Sequence, residues 1–196
     1  MEGEITIKDT TAGSPAAVGF YGLGFAATFA GLLNMGMLGG DDTSSPALMV
    51  LAMAIMLGGF AEVIAGLQLW KKGDIFGATA FTIFGFWWFG FAFINLAPAG
   101  LFNITILGPS NASMAFFTLV WGIIATLLTL GTLKIGLKML TVVFVVLDLT
   151  FFSLAAVFFG MNILPIAGAI TLITGIAALY LATALVLNGV GMKLPM

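Results

Sequence analysis

The chain has no cysteine, no histidine and no arginine among its 196 residues. Without Cys there is no disulfide framework and no thiolate nucleophile. Without His as well, the usual ligand sets of zinc, copper and haem are missing, so neither a metal nor another cofactor is expected. Charge is scarce: Asp, Glu, Lys and Arg together make up 7% of the residues, where a soluble domain carries about a quarter. A net charge of −2 and no basic cluster argue against nucleic acid as a partner. No nucleophile–base pair and no dinucleotide fingerprint occurs, so an enzyme is not expected. Gly22-x-Gly24 lies inside an apolar run with no preceding strand and is not a nucleotide loop. The first 14 residues are polar and partly acidic, unlike a cleavable signal peptide.

What is present is apolar: 61% of the residues are hydrophobic. A helix needs about 20 apolar residues to cross a bilayer, and the pattern predicts six such spans. They run from about Ala16 to Leu38, Ala47 to Trp70, Ile75 to Ala97, Met114 to Leu133, Met139 to Gly160 and Leu164 to Asn188. Ser14-Pro15 and Ser45-Pro46 open the first two, with a capping residue followed by Pro at the first helical position. All six prolines fall at or near span ends, so each span is expected to be a continuous helix with its backbone bonded internally. The expected organisation is an N-terminal tail over 1–14, a six-helix domain over 15–190 and a C-terminal tail over 191–196.

The six positive charges are Lys8, Lys71, Lys72, Lys134, Lys138 and Lys193, and no charged residue occurs from Ile75 to Leu133. All six fall on one side of the predicted topology. The positive-inside rule makes that side cytoplasmic, with both termini expected inside, and the expected location is the cytoplasmic membrane. The remaining loops carry no Lys, and the first carries Asp41 and Asp42. Asn103-Ile-Thr105 and Asn111-Ala-Ser113 match the glycosylation pattern, but a motif this short is read as ordinary loop sequence.

Glycine is abundant, with 26 residues, and small residues let membrane helices approach closely. Gly36 and Gly40 stand in GxxxG spacing at the end of the first span. Aromatics concentrate in the third span, at Phe84, Phe86, Trp87, Trp88, Phe89, Phe91 and Phe93. So many rings cannot all face a path, so most are expected to meet lipid or a neighbouring subunit. Two carboxyl residues lie inside spans, Glu62 and Asp148. An ionisable group near the bilayer centre costs at least about 2.5 kcal/mol, so each must face the bundle interior, a water path or a partner. Proton coupling and helix tying are both open for Asp148. For Glu62, between Gly59 and Gly66, the helix-tying role is favoured. Most of the Thr residues can bond a carbonyl one turn back. Asn34 has less opportunity to do so and is a candidate to line a path. Since no Lys or Arg lies within a span, a bound anion could be held only by hydroxyls, amides and helix N-termini. Weak sites of that kind suit a conduit.

The residues also resemble a known family. Ser14-Pro15-Ala16-Ala17-Val18-Gly19-Phe20, leading into Gly22-Leu23-Gly24, is similar to the Asn-Pro-Ala-Pro-Leu-Gly-Leu signature of the acetate uptake transporters, the succinate–acetate permease type. Gly58-Gly-Phe-Ala-Glu-Val-Ile-Ala-Gly66 and Lys71-Lys-Gly-Asp-Ile-Phe-Gly-Ala-Thr-Ala-Phe-Thr82 resemble that family's Gly-Gly-x-Ala-Gln-x-x-Ala-Gly and Lys-Lys-Gly-Asn-Thr-Phe-Gly-x-Thr-Ala-Phe-Thr stretches. Weaker similarity covers Gly131–Lys134 and Leu147–Phe152. The resemblance implies an all-α, urea-channel-like bundle of six transmembrane helices, with six protomers in a homo-hexameric ring and one pore each. It implies passage of acetate, other short carboxylates and in some cases succinate, as an anion channel or a proton symporter. It also implies a hydrophobic gate at Leu23, Phe84 and Leu147. Departures are Ser14 for Asn, Ala17 for Pro, Phe84 where Tyr is common and Glu62 where Gln is common. The expected function is therefore a channel-like carboxylate transporter embedded in lipid. Asn34 and Thr82 are candidate substrate contacts, and Asp148 and Glu62 candidate proton-coupling groups. A conduit for ammonia, urea or water, or a membrane assembly protein, are the alternatives.

Overall fold

The computed structural model describes residues 13–39, 45–98 and 107–196. Lys8, Gly40, Asp41, Asp42 and the Asn103–Thr105 motif lie outside the described residues. Six long apolar helices follow one another: α1 Ala16–Asn34, α2 Pro46–Lys71, α3 Ile75–Leu96, α4 Asn111–Ile135, α5 Lys138–Phe158 and α6 Leu164–Gly189. No strand occurs among the described residues. The chain is an all-α, multi-pass membrane protein. Its outer surface accords with this: Phe116, Val120, Ile123, Leu127 and Leu130 form an exposed apolar stripe at helical spacing along α4.

The helix ends follow local chemistry. Pro15 already has helical φ −71° and ψ −11°, and its ring carries no N–H to leave unpaired. Asp74 caps α3, its Oδ1 accepting from the Gly77 amide at 2.9 Å. Ser110 caps α4 in the same way through Ser113. Gly73, between Lys72 and Asp74, takes φ +73°, a conformation that side-chain-bearing residues disfavour. That turn lets α2 reverse directly into α3.

Three sequence expectations are corrected. The first span ends at Asn34, and Gly36, at φ +71°, terminates it rather than packing against a neighbour. The second span is not α-helical throughout, since Ala54–Ala61 winds as a π-helix. The wider turn shifts the faces of the two halves of α2 relative to each other. No proline marks the change, so proline placement could not reveal it. The third correction concerns the rings of α3: Phe84, Trp87 and Trp88 are buried, and only Phe86 and Phe93 of the seven are exposed.

Small residues bring the helices together. On α1, a Cβ at Gly24 would lie 2.6 Å from Leu179 Cγ, and one at Gly31 2.5 Å from the Leu172 amide nitrogen. α1 and α6 therefore pack closely within the protomer, backbone against side chain at Gly24 and backbone against backbone at Gly31. On α2, Gly58 and Gly59 leave room for the rings of Trp88 and Phe89, which would sit 2.5 Å from a Cβ at either position. These glycines occupy the π-helical stretch, so α3's largest side chains seat on its widest turn. The C-terminal tail folds back on α6: Asn188 accepts from the Leu194 amide at 2.6 Å and donates to the Leu194 carbonyl at 3.0 Å.

Candidate functional site

Two cavities lie end to end inside the bundle. The first, of about 420 Å³, is lined by residues from the start of α1, the α2–α3 turn, the α4–α5 turn and late α6. These are the ends that carry Lys71, Lys72, Lys134 and Lys138. The second, of about 340 Å³, is lined from the opposite ends: Asn34 late in α1, Asn95 late in α3, Met114 early in α4 and Leu164 at the start of α6. The residues common to both linings are Leu23, Phe84 and Leu147. They come from α1, α3 and α5 and are 7%, 5% and 5% exposed. Three apolar side chains thus separate two vestibules.

Phe84 is held in place by other rings. Its centroid lies 5.7 Å from Trp121, 6.1 Å from Phe151 in a stacked arrangement, and 6.3 Å from Phe144. Trp87 stands edge-on to Phe151 at 5.2 Å. Such contacts contribute about 0.5–1.5 kcal/mol each beyond area burial. The aromatic cluster therefore fixes the narrow point as a rigid wall. Phe84, Trp87, Trp88 and Phe91 form an i, i+3, i+4, i+7 stripe. That spacing, with Phe86 and Phe93 on the opposite face, was the signal by which the inward rings could have been found.

The two cavities differ in polarity. Among the described residues, the first is apolar apart from Ser14, Glu62 and Asp74. Glu62 follows the π-helical stretch and is buried, with Trp88 Nε1 donating to its Oε1 at 3.0 Å. Trp88 itself lines the second cavity, so this bond joins the two vestibules beside the constriction. The second cavity has more polar groups, among them Asn34, Asn95, Thr118, Thr150, Thr171 and Thr174. Most of these hydroxyls are spoken for: Thr118 donates to the Met114 carbonyl at 2.9 Å, and Thr171 to Ala167 at 2.8 Å. The indole N–H of Trp87, another residue of that wall, is buried with no partner.

The remaining sequence candidates lie away from the neck. Ser14 and Ala16 line the mouth of the first cavity. Pro15 begins α1, and Gly19 receives the Phe81 ring, which would lie 2.5 Å from a Cβ there. Thr82 lines neither cavity: it packs against Gly66 between α2 and α3, and its hydroxyl is buried without a partner. Asp148 also lines neither cavity. It is buried between α4 and α5, where the Thr129 hydroxyl donates to its Oδ2 at 2.8 Å. Leu147 and Asp148 are sequence neighbours about 100° apart around a helix, so one faces the path and the other faces α4.

A helical bundle with two axial vestibules and an apolar neck defines a membrane protein of channel-like architecture. The profile of the GPR1/FUN34/yaaH family matches residues 2–192, and the chain belongs to that family. It is 36% identical over 183 residues to the succinate-acetate/proton symporter SatP of Escherichia coli K12, covering 92% of each chain. It is 32% identical over 149 residues to acetate permease A of Emericella nidulans, covering 72% of this chain and 48% of the permease. The solved structure of the bacterial acetate channel SatP superposes with a TM-score of 0.84 at 34% identity, covering 92% of this chain and 96% of that one.

Proposed function

We propose that the protein passes acetate and other short-chain carboxylates across the cytoplasmic membrane by a channel-like route, one path per protomer. The observation that carries this reading is the pair of axial cavities meeting at Leu23, Phe84 and Leu147. An apolar neck can close by excluding water, and it admits a small solute that sheds its hydration shell there. The absence of Lys from both linings among the described residues favours weak binding, so a solute leaves as readily as it enters. The names of the symporter, permease and channel relatives support acetate and succinate as the solute class.

In this reading Leu23, Phe84 and Leu147 are the gate, and Asn34 is a polar contact in the outer vestibule. The lysine-bearing ends and both termini face the cytoplasm. The exposed α4 stripe meets lipid or a neighbour in a six-protomer ring; a monomer mass in native mass spectrometry from mild detergent would remove the ring. The deciding assay is exchange of labelled acetate in proteoliposomes, corrected for protein-free vesicles because acetic acid itself permeates lipid. Exchange well above that background is expected. No excess exchange would overturn the reading, and flux of urea or ammonia alone would replace it with a neutral-solute conduit.

A further inference from the structure

The inner cavity combines an expected anionic solute with two carboxyl residues in an otherwise largely apolar lining. Among the described residues, its ionisable lining residues are Glu62 and Asp74, and no Lys lines it. Asp74 stands at the mouth, bonded to the Gly77 amide. Glu62 lies deeper and is 1% exposed. Beyond the Trp88 indole, no other hydrogen bond to Glu62 forms among the described residues.

The helices around Glu62 bring no countercharge. α1 presents Gly22, where a Cβ would lie 3.2 Å from Glu62 Cγ, and its one titratable group, Tyr21, hydrogen-bonds Thr183 of α6 at 3.0 Å. α3 has no titratable residue between Ile75 and Leu96. On α6 the Tyr180 hydroxyl donates to the Pro195 carbonyl. On α5 Asp148 is bonded to Thr129, and Lys138 stands at the helix start. On α2 itself the nearest charge is Lys71, at the helix end. Glu62 is therefore a carboxyl with one neutral donor, facing the route a carboxylate would take.

Two anions about 5 Å apart at an effective dielectric near 20 disfavour each other on the order of a hundredfold. A carboxyl and a carboxylate sharing one proton attract instead, through a charge-assisted O–H···O bond. We propose that Glu62 is a specificity-determining group: a carboxylate passes the inner edge of the neck only when one proton lies between it and Glu62. This rests on the proposed function and names the charge state that the path accepts. The proton comes from water in the inner vestibule and is held between the two oxygens while the solute is beside Glu62. It then stays on Glu62 or leaves with the solute as the neutral acid. A solute with two charges brings a second anion past the same point, so dicarboxylates pass less readily than acetate.

The test is labelled-acetate exchange in proteoliposomes with equal pH on both sides, from pH 5 to 9, for the wild type, Glu62→Gln and Glu62→Asp. Glutamine keeps an oxygen for the Trp88 donor and offers an N–H to the solute, so it mimics the protonated acid permanently. Wild-type exchange is expected to fall with rising pH, by up to about tenfold per pH unit for a single shared proton. Glu62→Gln should lose this fall, and its succinate-to-acetate ratio at high pH should rise roughly tenfold. Glu62→Asp should keep the fall, which a purely structural role for the side chain would not predict. Coincident wild-type and Glu62→Gln profiles would overturn the inference, whereas absent wild-type exchange at every pH would overturn the proposed function instead. A second measurement needs no variant: infrared difference spectra of the wild type on adding acetate should show a changed carboxylic-acid C=O band. An unchanged band would count equally against it.

Discussion

Replacing Gly58 with alanine tests how the π-helical stretch positions the carboxyl beside the neck. A Cβ at this position would lie 2.5, 2.6 and 2.7 Å from Cγ, Cδ1 and Cδ2 of Trp88. Carbon atoms pack best at about 3.5–4.0 Å, so the indole must retreat by roughly 1 Å. Its Nε1 donates to Glu62 across 3.0 Å, and a shift of that size takes the pair beyond hydrogen-bond reach, about 3.2 Å. Over-packing costs about 1–3 kcal/mol, and the lost hydrogen bond about 1 kcal/mol more. The better helix propensity of Ala offsets about 1 kcal/mol. The net expectation is a destabilisation of roughly 2 kcal/mol. Gly189 meets nothing within 4 Å at its Cβ position, so Gly189→Ala should be neutral or slightly stabilising. Unfolding in mixed dodecylmaltoside–SDS micelles, followed by the emission of the four tryptophans, measures both variants. A Gly58→Ala protein within about 0.5 kcal/mol of the wild type, which is the range of an ordinary surface change, would refute the argument.

Three further outcomes are expected. Leu147→Ala removes one of the three side chains of the neck and should raise the exchange of larger monocarboxylates relative to acetate by roughly tenfold, as one or two methylenes of pocket space decide; an unaltered ratio would speak against this residue as part of a gate. Asp148→Asn keeps an oxygen for the Thr129 donor and lines neither cavity, so acetate exchange and its pH profile should match the wild type, and a flattened profile would move the proton-sensitive group from Glu62 to α5. Thr82→Val deletes a buried hydroxyl that has no partner, so stability should hold or rise by up to about 1 kcal/mol with exchange intact, and a large loss of acetate exchange would restore Thr82 as a substrate contact.

The sequence was most legible where the bilayer imposes the rule. Length and hydropathy required six spans, because lipid leaves each helix to satisfy its own backbone. The Ser-Pro pairs, the Lys-Lys-Gly-Asp turn and the prolines at span ends placed the helix boundaries within a few residues. Scarcity of charge likewise required a path without cationic anchors. Leu23, Phe84 and Leu147 entered through family resemblance, since nothing in an isolated Leu or Phe distinguishes lipid-facing from path-lining positions.

What the sequence determined by itself was a six-helix membrane protein whose lysines gather in alternate connections, because hydropathy and the placement of Lys are read one segment at a time. The tertiary structure decided which face of each helix looks inward. Trp88 turns toward Glu62, the α3 rings fill the centre, and Asp148 turns aside to Thr129 while its neighbour Leu147 meets the path. These orientations depend on a π-helical turn and on glycines that admit particular rings from another helix. Contacts of that kind join residues as far apart as Glu62 and Trp88, and they exist only once the helices have packed.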